Sequence, residues 1–198
     1  PMSGDVLKFP AGGRASETPS FTDPLLQRLA EAFASAVDKK TGKPIVLVLF
    51  TGRPLTISWE NDNLDAILNV WFPGSEAGYS IADALFGDVN PSGKLSATWP
   101  QNVGQIPIYY AHKNTGRPLP EGQWFQKFRS NYLDVSNDPE FPFGFGLSYS
   151  NFEYSDIKLS ATSLKGNQTL TASVTVKNTG KYKGKEVVQL YIRDVVGS

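Results

Sequence analysis

The residues best suited to ligand recognition lie between Gln101 and Glu140, a stretch of about forty residues with little regular pattern. It carries His112, Trp124 and Arg129. An indole ring can stack on a sugar face, and a guanidinium offers a rigid fork of donors. A loop of this length exceeds what a compact domain usually contains, which favours a binding or docking role. We interpret Trp124 as the stacking candidate, and His112 as either a site residue or a solvent-facing loop residue.

A second candidate is Arg53, in the turn Thr51–Leu55. This turn directly follows the unbroken apolar run Pro44–Phe50. If that run is a parallel strand, the turn lies at its carboxyl end, where open α/β sheets build their sites. The Arg53 guanidinium could reach a sugar or a carboxylate, or it could tie neighbouring loops together. The second role is the more common one in such a turn, and we favour it.

The composition excludes several classes of site. The chain has 198 residues, with 19 Lys+Arg against 19 Asp+Glu, so its formal net charge of zero argues against a nucleic-acid partner. It has no cysteine and one histidine, which excludes disulfides, thiolate metal sites and histidine clusters. No apolar run approaches the ~20 residues of a membrane span, and no signal-peptide pattern opens the sequence. We expect neither a metal nor a cofactor.

The first part of the chain has the pattern of an α/β fold. An irregular stretch over 1–21 is followed by an amphipathic helix over 22–42, and then by the apolar run 44–50. Because this run has no polar alternation, we expect a central strand that is buried on both faces of a parallel sheet. Residues 66–72 suggest a short helix followed by another buried strand, residues 75–86 a helix and 95–99 a strand. The fold class predicted is α/β, a mostly parallel sheet flanked by helices.

The pattern changes at Phe141. Aromatic residues alternate with glycine over 141–149, and segments with strand periodicity follow at 152–159, 170–176 and 186–192. These predict a partial antiparallel β-sandwich, since a complete one takes about seven strands. The predicted domains are therefore 1–140, a linker over 141–150, and an incomplete sandwich over 151–198. Such a sandwich leaves an open edge and an apolar face, so we expect self-association through that edge or disorder of the tail.

Several ordered motifs together resemble glycoside hydrolase family 3, in particular bacterial β-glucosidases with a trailing fibronectin type III-like domain. They span roughly 150 residues, which makes the signal far stronger than any single short motif. The motifs are Gly42–Leu49, Thr51–Leu55, Trp71–Gly74, Phe86–Leu95 and Phe141–Tyr149. The resemblance implies that the chain holds the later part of the family's α/β sandwich domain and the start of the fibronectin-like domain.

The resemblance also implies a chemistry, that of a retaining, exo-acting β-glycosidase with a carboxylate nucleophile and a carboxyl acid/base. The nucleophile belongs to an upstream barrel domain that this sequence does not contain. For the acid/base there are two alternatives. Asp5, in Met2-Ser3-Gly4-Asp5, resembles the family motif with Asp in place of Glu, and Glu17 is the second candidate. Both could instead be solvated loop carboxylates, which is the more common situation.

On this reading the chain contributes one wall of a sugar site for a β-linked glycoside or oligosaccharide. It would need a barrel domain, on another chain if necessary, and we expect it to be inactive alone. The family suggests a periplasmic or secreted location. The alternative function is a non-catalytic pair of domains that binds carbohydrate or a protein partner.

Overall fold

The computed structural model describes residues 42–111 and 115–194. The predicted helix over 22–42 lies outside these ranges almost entirely. In the described part, short strands and helices are separated by long irregular segments. In chain order they are β1 Val46–Leu49, α1 Ser58–Asn63, β2 Ala66–Asn69, α2 Ala77–Phe86, a 3-10 helix Val103–Gln105, β3 Phe152–Tyr154, β4 Lys158–Leu159, β5 Ala172–Ser173 and β6 Val176–Asn178.

Strands β1 and β2 form a parallel pair, with Val46 opposite Ala66 and Leu49 opposite Asn69. Helix α1 lies between them in sequence, so the unit is a β-α-β crossover. The strand predicted over 44–50 is therefore present. The prediction for 66–72 was wrong in its first half, because the strand already begins at Ala66 and the helix precedes it.

The prediction that the run 44–50 is buried on both faces was also wrong. Leu47 and Leu49 are buried, but Val46 is 42% exposed and Phe50 is 44% exposed. Within the described residues β1 pairs with β2 alone, and its side chains alternate between covered and open positions. An apolar run shows that both faces can be buried, but burial of the second face requires packing that the described residues do not provide.

The core around β1 contains Leu47, Leu49, Ile57 and Trp99, with partly buried residues such as Trp71 packed against them. The rings of Trp71 and Trp99 meet edge to face, with centroids 6.0 Å apart. The segment predicted as a strand over 95–99 shares backbone hydrogen bonds with 141–145, but it has only an isolated bridge, between Trp99 and Phe141.

The chain divides into two compact units that interleave along the sequence. The first comprises the described residues up to Ala77 together with Leu95–Phe145, and the second comprises Gly78–Lys94 together with the described residues from Gly146 onward. Helix α2, predicted over 75–86 and observed over Ala77–Phe86, therefore belongs almost entirely to the second unit. The predicted boundaries 1–140, 141–150 and 151–198 remain a prediction.

The second unit contains two antiparallel strand pairs, β3 with β6 and β4 with β5. The regions predicted as strands over 152–159 and 170–176 contain β3, β4 and β5, whereas β6 begins at Val176 and extends beyond the second region, and each strand is only two or three residues long. The region 186–192 is not part of a β-ladder in the described part of the chain. No helix within residues 42–111 and 115–194 is long and apolar enough to cross a membrane.

Candidate functional site

The turn after β1 is closed by the side chain of Thr51. Its hydroxyl donates to the backbone carbonyl of Arg53 at 2.6 Å and accepts from the Arg53 backbone N–H at 3.2 Å. This tight turn lies at the carboxyl end of the parallel pair formed by β1 and β2. A Cβ on Gly52 would lie 2.7 Å from the Phe72 ring, so a glycine lets the loop after β2 pack against the turn after β1.

A cavity of about 780 Å³ lies beside this turn, within the first unit. Its size is in the range of small-molecule sites. Its wall is mostly apolar and comes from the turn after β1, the segment just before Pro100, the loop from Val103 to Ala111, and Phe143. The residues are Arg53, Pro54, Leu55, Thr56, Ser96, Ala97, Thr98, Pro100, Val103, Ile106, Pro107, Ile108, Tyr109, Tyr110, Ala111 and Phe143.

One side of the cavity is aromatic. The Tyr110 and Phe143 rings are stacked, with centroids 4.6 Å apart and planes 24° from parallel. Tyr109 and Tyr110 are 64% and 60% exposed, so their rings offer apolar surface to the solvent. The Tyr110 and Phe143 rings each cover one face of the other, and the pair joins the loop that carries Tyr110 to the segment that carries Phe143.

The loop that carries this wall is anchored by Gln105, whose side chain is completely buried. Its Oε1 accepts hydrogen bonds from the backbone N–H groups of Gln101 at 2.7 Å and Asn102 at 3.2 Å. Its Nε2 donates to the backbone carbonyls of Ser136 at 2.9 Å and Asp138 at 3.0 Å. All polar atoms of this buried amide are thus satisfied, which fixes the two ends of the long loop to each other.

Of the five site residues predicted from the sequence, the structure describes two, Trp124 and Arg129. Asp5, Glu17 and His112 lie outside the described residues. Trp124 is 60% exposed, with its ring 5.6 Å from that of Phe125. Arg129 donates from Nε to the Gln126 side chain at 3.1 Å. Neither Trp124 nor Arg129 lines the cavity.

Of the lining residues, Arg53 was expected to tie neighbouring loops together, and Phe143 falls in the predicted linker over 141–150. Nothing in the sequence analysis singled out Gln105, which anchors the loop behind the cavity. The one local signal for Gln105 is its spacing from Asn102, since the two form a capping box at the 3-10 helix.

Comparison with known proteins shows which family the chain belongs to. Residues 8–149 match the Glycosyl hydrolase family 3 C-terminal domain. The chain belongs to this family. The resemblance noted in the sequence motifs is thereby confirmed, and the α/β class of the fold is confirmed at that coarse level, since the family domain is consistent with it.

Several named relatives match most of the chain. A periplasmic beta-glucosidase from Salmonella typhimurium is 49% identical over 94% of this chain and 24% of its own length. A beta-xylosidase from Formosa agariphila is 46% identical over 78% of this chain and 20% of its own length. The structure of a beta-glucosidase from Listeria innocua in complex with glucose matches with a TM-score of 0.79 and 44% identity, covering 88% of this chain and 23% of that one. The chain thus corresponds to about a quarter of the relatives it matches.

Proposed function

We propose that the chain forms one wall of the sugar site in a retaining, exo-acting β-glycosidase of the β-glucosidase type. The observation that carries this proposal is the match to a beta-glucosidase structure in complex with glucose, at a TM-score of 0.79 over 88% of the chain. The substrate class is a β-linked glycoside or oligosaccharide. The wall includes the long loop, with His112, Trp124 and Arg129 as sugar contacts.

The reaction requires two carboxyl groups about 5 Å apart, one acting as nucleophile and the other as acid/base. In this proposal the acid/base is either Asp5 or Glu17, and the nucleophile comes from a barrel domain outside this sequence. Asp is one methylene shorter than Glu, so Asp5 would need a loop that brings it closer to the leaving oxygen. A lone proton donor contributes roughly 10²–10⁴-fold, which is too little for glycoside turnover without the second carboxylate.

The finer architecture is part of the same proposal. It has a mostly parallel sheet flanked by helices through residue 140, followed by a linker and a partial fibronectin type III-like sandwich. The parallel β1–β2 pair and the two antiparallel pairs support this division. We also propose a periplasmic or secreted location, supported by the relative that is named periplasmic.

A second candidate is a non-catalytic domain pair that binds carbohydrate or protein. The exposed Trp124 in the long loop favours it, because an outward-facing indole can bind a sugar without any catalytic group.

The two candidates differ in what happens when a barrel is supplied. We expect no hydrolysis of nitrophenyl β-glucoside by the purified chain, and turnover when it is mixed with a separately expressed family 3 barrel domain. Glu17→Gln and Asp5→Asn should then identify the acid/base by loss of that turnover, with Glu121→Gln as the matched control on an exposed carboxylate. Turnover by the chain alone, abolished in both variants, would mean that it holds its own carboxylate pair. Sugar binding without turnover in any mixture would favour the second candidate.

A further inference from the structure

A short loop after β6 concentrates positive charge. Residues 180–185, called the lysine loop below, include Lys181, Lys183 and Lys185 and contain no Asp or Glu. All three lysines are exposed, and within the described residues none of them forms an ion pair. Because the formal net charge of the whole chain is zero, this excess is a local feature. A local excess of one sign raises the concentration of oppositely charged ligands around it.

The first half of the lysine loop is held by side-chain hydrogen bonds. Asn178 accepts from the Gly180 backbone N–H at 2.9 Å, and its Nδ2 donates to the Tyr182 carbonyl at 2.9 Å. The hydroxyl of Ser150, a buried residue, accepts from the Tyr182 N–H at 3.2 Å and donates to the same carbonyl. The backbone is therefore fixed here, although the loop lies outside the helices and strands.

The second half is held by Asn90. Its Nδ2 donates to the Lys183 carbonyl at 3.3 Å, while its Oδ1 accepts from the Ser148 hydroxyl at 2.9 Å and the Tyr149 N–H at 2.8 Å. A Cβ on Gly184 would lie 2.7 Å from Asn90 Nδ2, so the loop packs closely against this amide. All these residues belong to the second unit. A backbone that is already ordered loses little further freedom when its side chains bind a ligand.

An aromatic ring accompanies the charges. Tyr182 lies between Lys181 and Lys183 in sequence and is 61% exposed. Its flat apolar ring can pack against the face of a sugar, and ammonium groups on flexible stems can reach carboxylates to either side. This combination suits a sugar chain that carries negative charge better than it suits a neutral one.

We propose that the lysine loop binds a polysaccharide whose sugars carry carboxylates, that is, a uronate polymer. Tyr182 packs against one sugar, and the three lysines pair with its carboxylate and with those of its neighbours. Nucleic acid is less well matched, because its binding draws on a basic excess over a whole domain. A membrane is less well matched, because lasting attachment adds an apolar anchor to a basic cluster, and the loop offers one ring.

The preference for a polysaccharide among polyanions rests on the proposed function, in which the substrate is a β-linked glycoside or oligosaccharide. The loop would then keep the enzyme on an acidic polymer. Binding itself does not require turnover, since it depends on residues within one compact unit of this chain.

The experiment is an NMR titration of the full 198-residue chain with a short oligogalacturonate and with its methyl ester, which has the same sugars without the charge. We expect the oligogalacturonate to shift the resonances of the lysine loop with a Kd of about a millimolar at low salt, as several weak exposed contacts together provide. The methyl ester should bind at least roughly tenfold more weakly, and ~1 M salt should abolish the binding of the acid. Oligodeoxythymidylate and phosphatidylglycerol vesicles, at equal charge, should not displace the oligogalacturonate.

Variants separate the charges from the ring. Replacing Lys181, Lys183 and Lys185 together by Gln should weaken binding roughly tenfold and remove most of its salt dependence. Tyr182→Ala should weaken binding about threefold and leave the salt dependence unchanged, whereas Tyr182→Phe keeps the ring and should bind like the wild type.

The matched control removes the same charge elsewhere in the second unit. Lys158→Gln, Lys165→Gln and Arg193→Gln together alter three exposed cations outside the loop and should leave binding unchanged. An equal loss in this control would overturn the proposal by revealing unspecific attraction. So would undiminished binding after the loss of all three loop lysines, absence of oligogalacturonate binding by the wild type, or its displacement by the nucleic acid or the vesicles. Specific binding by a chain that gives no turnover with any barrel would support the lysine loop and refute the proposed function, and turnover without such binding would do the reverse.

Discussion

The side-chain amide of Gln105 donates a hydrogen bond to the backbone carbonyl of Ser136 at 2.9 Å, across 31 residues of sequence. The same nitrogen donates to the backbone carbonyl of Asp138, and the Tyr132 hydroxyl donates to the backbone carbonyl of Gln105 at 2.9 Å. A completely buried side chain therefore holds together a loop that has almost no regular structure of its own. The order of this loop depends on side-chain hydrogen bonds, since it lacks the backbone ladders of helices and sheets.

Replacing Gln105 by Glu tests this dependence. The Gln105→Glu side chain keeps its shape but loses both donors, and it places a carboxylate against two carbonyl oxygens. We expect a loss of about 3 kcal/mol in the free energy of unfolding, measured by urea denaturation. Gln123→Glu, at an exposed position of the same loop, is the control and should change stability by less than about 0.5 kcal/mol. Similar values for both variants would show that the buried amide does not anchor the loop.

The contrast between β1 and Gln105 shows which features the sequence could predict. The strand β1 follows from an unbroken apolar run, and α2 from apolar residues at helical spacing, because local pattern and burial agree there. The two carbonyls that accept from Gln105 Nε2 lie 31 and 33 residues away, and no local pattern encodes a hydrogen bond over that distance. The cavity likewise depends on Phe143 meeting Tyr110, a contact between segments whose spacing in sequence carries no signal.

Two glycines of the second unit should respond to alanine in opposite directions. A Cβ on Gly146 would overlap the carbonyl oxygen of Gly93, which belongs to the backbone and cannot move aside easily. A Cβ on Gly78, in helix α2, would meet no atom within 4 Å. We therefore expect Gly146→Ala to cost about 2–3 kcal/mol of unfolding free energy, and Gly78→Ala to add about 0.5–1 kcal/mol. Thermal and urea denaturation of both variants provide the check, and a neutral Gly146→Ala would contradict the close packing.

A mostly buried ion pair lies in the second unit, between Lys94 Nζ and Glu186 Oε2 at 3.4 Å. Lys94 also donates to the Gly146 carbonyl at 2.6 Å. A double-mutant cycle of Lys94→Met and Glu186→Gln should give a coupling energy of about 1 kcal/mol. The matched cycle uses Glu153 and Lys177, which face each other on β3 and β6 and are exposed, and should give about 0.3 kcal/mol. A larger coupling for the exposed pair would reverse the ranking that burial predicts.

Glu186 also accepts a hydrogen bond from the Tyr154 hydroxyl at 2.9 Å. Desolvation raises the pKa of Tyr154 above its usual value, and the hydrogen bond to Glu186 and the charge of that carboxylate raise it further. Because the folded-state pKa is raised, the contribution to stability is complete below about pH 10 and is lost as the pH rises through the folded-state value.

We therefore expect Tyr154→Phe to lose part of the alkaline fall in unfolding free energy, measured by urea denaturation across that range. Glu186→Gln should lower the pKa of Tyr154, as followed by spectrophotometric titration of tyrosinate. An unchanged titration in Glu186→Gln would show that the carboxylate does not act on this hydroxyl.

The last prediction concerns the segment 186–192, where Val188, Leu190 and Ile192 are exposed, Leu190 by 63%. Residues two apart share one face of an extended chain, so these three present an apolar row. The segment is not part of a β-ladder in the described part of the chain, and pairing with a second copy would cover this apolar row. We expect the chain to self-associate through this edge.

Sedimentation velocity at several concentrations would measure that association. The double variant Val188→Lys and Leu190→Lys should remain monomeric, because burying lysine in a new strand pair is costly and charged edges oppose pairing. Leu133→Lys, at an exposed apolar position of the other unit, should associate like the wild type. A wild-type chain that stays monomeric at all concentrations, or one whose association is lost equally in Leu133→Lys, would show that this edge is not the contact.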